Sequence, residues 1–202
     1  MSSGSEGSRE DVTILVVDDE PGVADFYSTY LREVGYTVWT AYNGRQALDI
    51  MEGEVDIVLL DRRMPEMSGD EVLSRLREHG YDCQIAMVTA VEPEFDVLEM
   101  GFDDYLVKPV SGEALEETVE HLLKRANYDS KMQEYFKLSS MVAVLEKSKT
   151  PEELEDNPEF QKLLKRAERK REELDQALDD LTEEDDFASA FQDIEDESNS
   201  TS

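Results

Sequence analysis

Five side chains between positions 18 and 108 have the types and spacing to handle a phosphoryl group together. Asp18 and Asp19 follow one apolar run, Asp61 follows a second, Thr89 ends a third and Lys108 ends a fourth. Three carboxylates brought within a few ångströms raise one another's pKa and destabilise the fold unless a cation relieves them. Mg²⁺ suits such a place, since it takes one or two carboxylates, keeps several waters and leaves positions open for phosphate oxygens. A hydroxyl donor at Thr89 and an ammonium at Lys108 are what a phosphorylated carboxylate needs around its oxygens. Each residue also has a plainer reading. Asp18-Asp19-Glu20-Pro21 can simply start a helix, Thr89 can be a strand-end residue, and Lys108 can be a solvated charge. The constellation of all five is what favours chemistry.

The elements that must position them are legible as hydrophobic pattern. Residues 12–17 (VTILVV) and 55–60 (VDIVLL) are nearly continuous apolar runs, as expected of parallel strands covered on both faces. Residues 37–41, 85–88 and 105–107 are shorter strand candidates. Between them lie amphipathic stretches, one with Val23, Tyr27, Tyr30, Leu31 and Val34 on a common stripe and another with Val72, Leu73 and Leu76. Gly35, Gly53, Gly80 and Gly101 fall where those helices should stop. Five strands alternating with five helices predict an α/β fold, a flavodoxin-like doubly wound five-stranded parallel sheet of order 2-1-3-4-5. In that order the first and third strands meet at the switch point where ligands bind.

Strand signals vanish after Ala126. Residues 128–147 carry Tyr135, Leu138, Val142 and Leu145 at helical spacing, and Thr150-Pro151-Glu152-Glu153 has the form of a capping box. Asn157-Pro158 reads as a further cap. From Phe160, a seam through Leu164, Ala167, Arg171, Leu174, Leu178 and Leu181 steps by fours and threes. A helical hairpin or coiled-coil extension follows, and the alternatives of intramolecular and intermolecular packing stay open. Phe187, Phe191 and Ile194 form a last short apolar face. The expected division is a disordered tail at 1–10, an α/β domain at 11–126, a helical domain at 127–194 and a disordered tail at 195–202.

Composition narrows the function classes. The chain has 202 residues, 39% of them hydrophobic, with a formal charge of −30 spread over both halves. That excess opposes binding to phosphate backbones and anionic membranes, and it fits a protein kept hydrated in high salt, so a halophilic origin is expected. The basic residues Lys162, Lys165, Arg166, Arg169, Lys170 and Arg171 alternate with acids and read as a solvated helix face. A single cysteine, Cys83, excludes an intrachain disulfide. No stretch reaches the roughly 20 apolar residues of a membrane span, and the N-terminus lacks a signal-peptide core. A cytoplasmic location is the expectation.

Asp18-Asp19, Asp61-x-x-Met64-Pro65-x-Met67-Ser68-Gly69, Val88-Thr89-Ala90 and Lys108-Pro109 resemble the receiver domain of two-component response regulators. The resemblance implies that Asp61 is the phosphoacceptor and that Mg²⁺ is bound by Asp19, Asp61 and the Arg63 backbone carbonyl, with Asp18 acting largely through water. It further implies that Thr89 and Lys108 hold the phosphoryl oxygens, that Tyr105 is an aromatic switch residue, and that the Lys108-Pro109 peptide is cis. No internal phosphodonor is visible, since neither His79 nor His121 accompanies an ATP site, so a sensor histidine kinase is the expected donor. The 128–194 segment, with its TPEEL and DDFASAF elements, resembles the HalX domain that follows receivers in haloarchaeal regulators. The expected protein is thus a phosphorelay component rather than a conventional enzyme, with a homodimer through the receiver surface or the C-terminal helices. Three rivals remain: a DNA-binding transcription factor, a phosphate sink without active output, and a dehalogenase-like phosphatase. The last places a second Asp two residues after its nucleophile, where this chain has Arg63.

Overall fold

The structure is a computed structural model that describes residues 8–51, 54–91 and 100–182. Its strands are β1 (Thr13–Val17), β2 (Thr37–Ala41), β3 (Ile57–Leu60), β4 (Gln84–Thr89) and β5 (Asp104–Val107). All four pairings are parallel, in the expected order β2-β1-β3-β4-β5. The two longest apolar runs became β1 and β3, two of the three inner strands, and all four residues of β3 are buried. Val17 pairs with Leu60, so Asp18 and Asp61 leave the sheet side by side, and Thr89 pairs with Val107, one residue before Lys108.

Helices α1 (Pro21–Glu33), α2 (Gly44–Ile50) and α3 (Gly69–Glu78) connect the first four strands. Proline opens α1, while the Asn43 and Ser68 side chains accept from the Gln46 and Glu71 amides at the starts of α2 and α3. The stripe of α3 turns inward as expected, with Val72, Leu73 and Leu76 buried. Gly35 and Gly80 follow α1 and α3 with φ of 106° and 74°, where a side chain would be strained. Gly53, and the helix expected between β4 and β5, lie outside the described residues.

The N-terminal expectation needs correcting. Disorder through residue 10 fails at its end, because Arg9–Asp11 form a 3-10 turn. Arg9 pairs with Glu116 at 2.7 Å and with Glu120, donates to the Val34 carbonyl and lies over the Tyr36 ring. A Ser/Gly/charge-rich stretch looks featureless in sequence because its partners lie far along the chain.

The chain divides into two compact units, Met1–Leu122 and Leu123–Ser202. Helix α4 (Gly112–Ser148) runs through this division without a break, having no glycine or proline after Gly112 to end it. In the second unit α5 (Pro151–Glu155) starts with the expected capping box at Thr150, and Asn157 caps α6 (Pro158–Thr182) by accepting from the Glu159 and Phe160 amides. Glu134 meets Arg166 and Lys170, each at 2.9 Å, so α4 and α6 form an intramolecular pair.

The buried seam of α6 differs from the expected one. Phe160, Ala167 and Ala177 are buried, the Lys170 side chain is largely covered, and Arg171 and Leu178 face outward. The seam therefore steps from Ala167 to Lys170 and from Leu174 to Ala177. A lysine stem can cover apolar surface while its ammonium reaches an acid, and here it reaches Glu134 and Glu173. The face expected at Phe187, Phe191 and Ile194 lies outside the described residues.

Candidate functional site

The site forms where the C-terminal ends of β1, β3, β4 and β5 meet. Asp61 donates its backbone N–H to the Val17 carbonyl at 2.8 Å, and Lys108 donates its own to the Thr89 carbonyl at 2.8 Å, so the sheet ladder continues one residue past each pairing. Asp18, Asp19 and Asp61 each offer a carboxylate oxygen, and these atoms lie within 4.8 Å of one another. Asp18, Asp61 and Thr89 are buried, whereas Asp19 is half-buried. A cluster of hard oxygen donors with one partly open member fits Mg²⁺, which prefers carboxylates and retained water over nitrogen or sulfur.

Lys108 completes the cluster. Its Nζ lies 2.6 Å from Asp18 Oδ2 and 3.6 Å from Asp61 Oδ1. The close contact with Asp18 was not anticipated, because the sequence places these residues 90 positions apart and only the register joins them. Burial works against the Lys108 charge, but the Asp18 hydrogen bond and the charges of Asp61 and Asp18 outweigh it and hold its pKa above the ordinary value. Asp61 is pushed up by burial, with Asp18 adding to the rise while Lys108, the Arg63 amide and the Thr89 hydroxyl oppose it. A carboxylate with a raised pKa is more basic, provided it still ionises.

The surroundings explain several other residues. A Cβ on Gly69 would lie 2.2 Å from the Asp61 carbonyl oxygen, and the Gly69 amide donates to the Arg62 carbonyl at 2.8 Å. Only glycine can start α3 this close to the end of β3. Glu66 adopts a positive φ of 64° in the loop between them. Lys108-Pro109 is cis, as the resemblance implies. Tyr105 is half-buried, stacks obliquely on Phe102 and donates its hydroxyl to the Val91 carbonyl at 2.7 Å. Tyr27, treated above only as part of an apolar stripe, is buried beside the charges of Lys108, Asp18 and Asp61. Its hydroxyl gave no signal, since a stripe pattern treats tyrosine and leucine alike.

A family model described as the response regulator receiver domain matches residues 14–120. The chain belongs to that family. The HalX domain model matches residues 124–191, so a HalX region follows the receiver. A candidate transcriptional regulator of Haloferax volcanii is 47% identical over 165 residues, covering 82% of this chain and 28% of that protein. The response regulator SaeR of Staphylococcus epidermidis is 34% identical over 127 residues, covering 60% of this chain and 56% of SaeR. The chain therefore spans well under two thirds of either relative. Among solved structures, the response regulator TrrA of Thermotoga maritima, in complex with Mg²⁺ and BeF, shares 38% identity. It has a TM-score of 0.51 and covers 55% of this chain and 98% of its own. The chemotaxis protein CheY4 of Vibrio cholerae shares 30% identity with a TM-score of 0.52, covering 55% and 98%. The chain thus carries a receiver domain of the two-component type followed by a HalX region. Among its described residues no helix is long and apolar enough to cross a membrane.

Proposed function

We propose that this response regulator takes a phosphoryl group on Asp61 from a sensor histidine kinase in the cytoplasm. The observation that carries the reading is the meeting of Asp18, Asp19 and Asp61 around one point, with the Lys108 ammonium 3.6 Å from Asp61. An Asp61 carboxylate oxygen attacks phosphorus as the phosphorus–nitrogen bond of the kinase phosphohistidine breaks, and the released imidazole is reprotonated from solvent. Asp19, Asp61 and the Arg63 carbonyl would hold Mg²⁺, with Asp18 acting largely through water. When bound, the ion neutralises charge on the transferred oxygens. Lys108 turns from Asp18 toward the new phosphoryl oxygens, and Thr89 donates its hydroxyl to them.

The acyl phosphate decays by water attack, and Arg63 and Ala90 flank that approach. Movement of Thr89 toward the phosphoryl group makes room for Tyr105, which must release the Val91 carbonyl to turn inward. Residues 11–126 act as the receiver and 127–194 as the output region, whose assembly or partner binding changes with phosphorylation. Incubation with acetyl phosphate and Mg²⁺ should add one phosphoryl group to the intact protein, seen by mass spectrometry. Retention of that labelling in Asp61→Asn would sink the proposal.

The Haloferax relative favours a second reading, in which the C-terminal helices contact DNA. Against it, Arg166 and Lys170 are engaged by Glu134, and Lys170 also by Glu173. Promoter binding at the protein's native salt, lost when Lys165 and Arg169 are neutralised, would establish it.

A further inference from the structure

The helical unit has an apolar face that its own described helices leave uncovered. On α4, Phe136, Met141 and Val144 are 60%, 47% and 65% exposed. Phe136, Ser140 and Val144 recur at steps of four and so form one row along the helix. The side of α4 that meets α6 bears Glu134, and Phe136 and Ser140 point about 160° and 120° round the helix from it. Along the row runs a groove of about 430 Å³, lined by Ser140, Met141, Val144, Leu145 and Leu163. Charge singles out the same unit. Residues 123–182 carry twelve Lys or Arg against fourteen Asp or Glu, whereas the other 142 residues carry eight against thirty-six. Two copies of so acidic a chain therefore repel each other least at these helices.

We propose that the Phe136–Ser140–Val144 row is where a second copy of the chain docks, the two α4 helices running antiparallel about a two-fold axis at Ser140. Such an interface uses one patch twice, so the patch must complement itself. Here it does. Phe136 of each copy lies level with Val144 of the other, and the two small Ser140 side chains meet at the axis, where they let the helices approach to about 8–10 Å. No ion pair engages Asp129 or Lys147 among the described residues. Across the antiparallel pair, Lys147 of each copy comes within about one turn of the other's Asp129, on the same side of the row. A parallel pair would instead set lysine against lysine and aspartate against aspartate. The chain's own C-terminal residues do not fit the groove. Leu163 lies nineteen residues before the end of α6, roughly 28 Å along its axis. The five residues from Thr182 to Phe187 span at most roughly 18 Å, so Phe187, Phe191 and Ile194 cannot be laid on the groove together. The inference goes beyond the phosphoacceptor reading of Asp61 and does not depend on it.

The test is the mass of the full chain in solution, followed by light scattering over a concentration series. The parent should reach twice the 23.0 kDa of one chain. Val144→Glu sets a charge in the apolar row of each copy and should weaken the dimer at least about a hundredfold. Its open position leaves the helicity and thermal midpoint of the dilute protein as in the parent. Leu178→Glu, exposed on α6 and outside the row, should keep the parent's mass. Under mild oxidation Ser140→Cys should link two copies by a disulfide, because the introduced thiols meet at the axis while Cys83 is buried. Gln133→Cys should not, since its counterpart would lie roughly 21 Å away along the pair. A parent that keeps the mass of one chain at millimolar concentration overturns the proposal. So does a Val144→Glu variant that assembles like the parent, or a cross-link at 133 in place of 140. A dimer lost in Phe191→Glu but kept in Val144→Glu would give the contact to the C-terminal segment and overturn it as well.

Discussion

The receiver and the helical unit put their charges to opposite uses. In the receiver, Asp18, Asp61 and Lys108 are taken out of water, and each depends on the others because the interior cannot screen them. In the helical unit, Glu134, Arg166, Lys170 and Glu173 interact near the surface, where solvent competes for every contact. Apolar packing divides the same way. The sheet encloses Ile14, Leu15, Leu59, Leu60, Ile85 and Met87 completely or nearly so, whereas Phe136, Met141 and Val144 on α4 lie open. A buried charge is thus a constraint on chemistry, and a surface charge is mainly a means of staying dissolved.

Four perturbations test this contrast, beginning with the strongest. Lys108→Ala leaves two buried carboxylates without their cation and should cost about 3–5 kcal/mol in the absence of metal. Chemical denaturation in chelator measures it, and a loss below about 1 kcal/mol would mean that the pair is effectively solvated. Leu73→Ala on the inner face of α3 should cost about 2–5 kcal/mol. Leu178→Ala, at a side chain 44% exposed, should stay within about 0.5 kcal/mol. Equal costs at the two leucines would erase the distinction between the units.

A third perturbation has the opposite sign. Asp61→Asn should raise the melting temperature of the metal-free protein at neutral pH, because burial penalises the ionised carboxyl. The folded chain holds that proton more readily than the unfolded chain. The penalty is therefore absent below the unfolded pKa, grows as pH rises toward the folded value, and is complete above it. The stabilisation by Asn should shrink as pH falls through that window, and a Tm difference independent of pH would contradict the cause assigned here. Glu134→Gln should have the smallest effect. Arg166 and Lys170 hold the Glu134 carboxyl below its usual range, so the small loss in thermal midpoint at low salt should disappear in molar salt.

The two units were unequally legible in sequence, for physical reasons. β1 and β3 stood out because strands covered on both faces need unbroken apolar runs, and Asp18, Asp61 and Lys108 were marked by falling where such runs end. The contacts that organise the cluster were not legible. The pairing of Lys108 with Asp18 depends on register, and the approach of Gly69 to Asp61 depends on the angle at which α3 leaves its loop. In α6 the heptad count went astray at Arg171. Lysine and alanine carry weak hydrophobic signals, yet Lys170 and Ala177 supply the covered positions. Across residues 112–148 the sequence marked a change of composition, and a change of composition requires no break in a helix.

The missing side chain at Gly69 has a mechanical consequence. With the first residue of α3 pressed against the peptide that bears the Asp61 carboxylate, the strand end cannot slide or tip without carrying the helix along. The Asp61 carboxylate is thereby levelled against the axis of α3 and does not depend on the stiffness of its own loop. Any larger residue at position 69 would act as a wedge, moving the Asp61 carboxylate rather than merely loosening the fold.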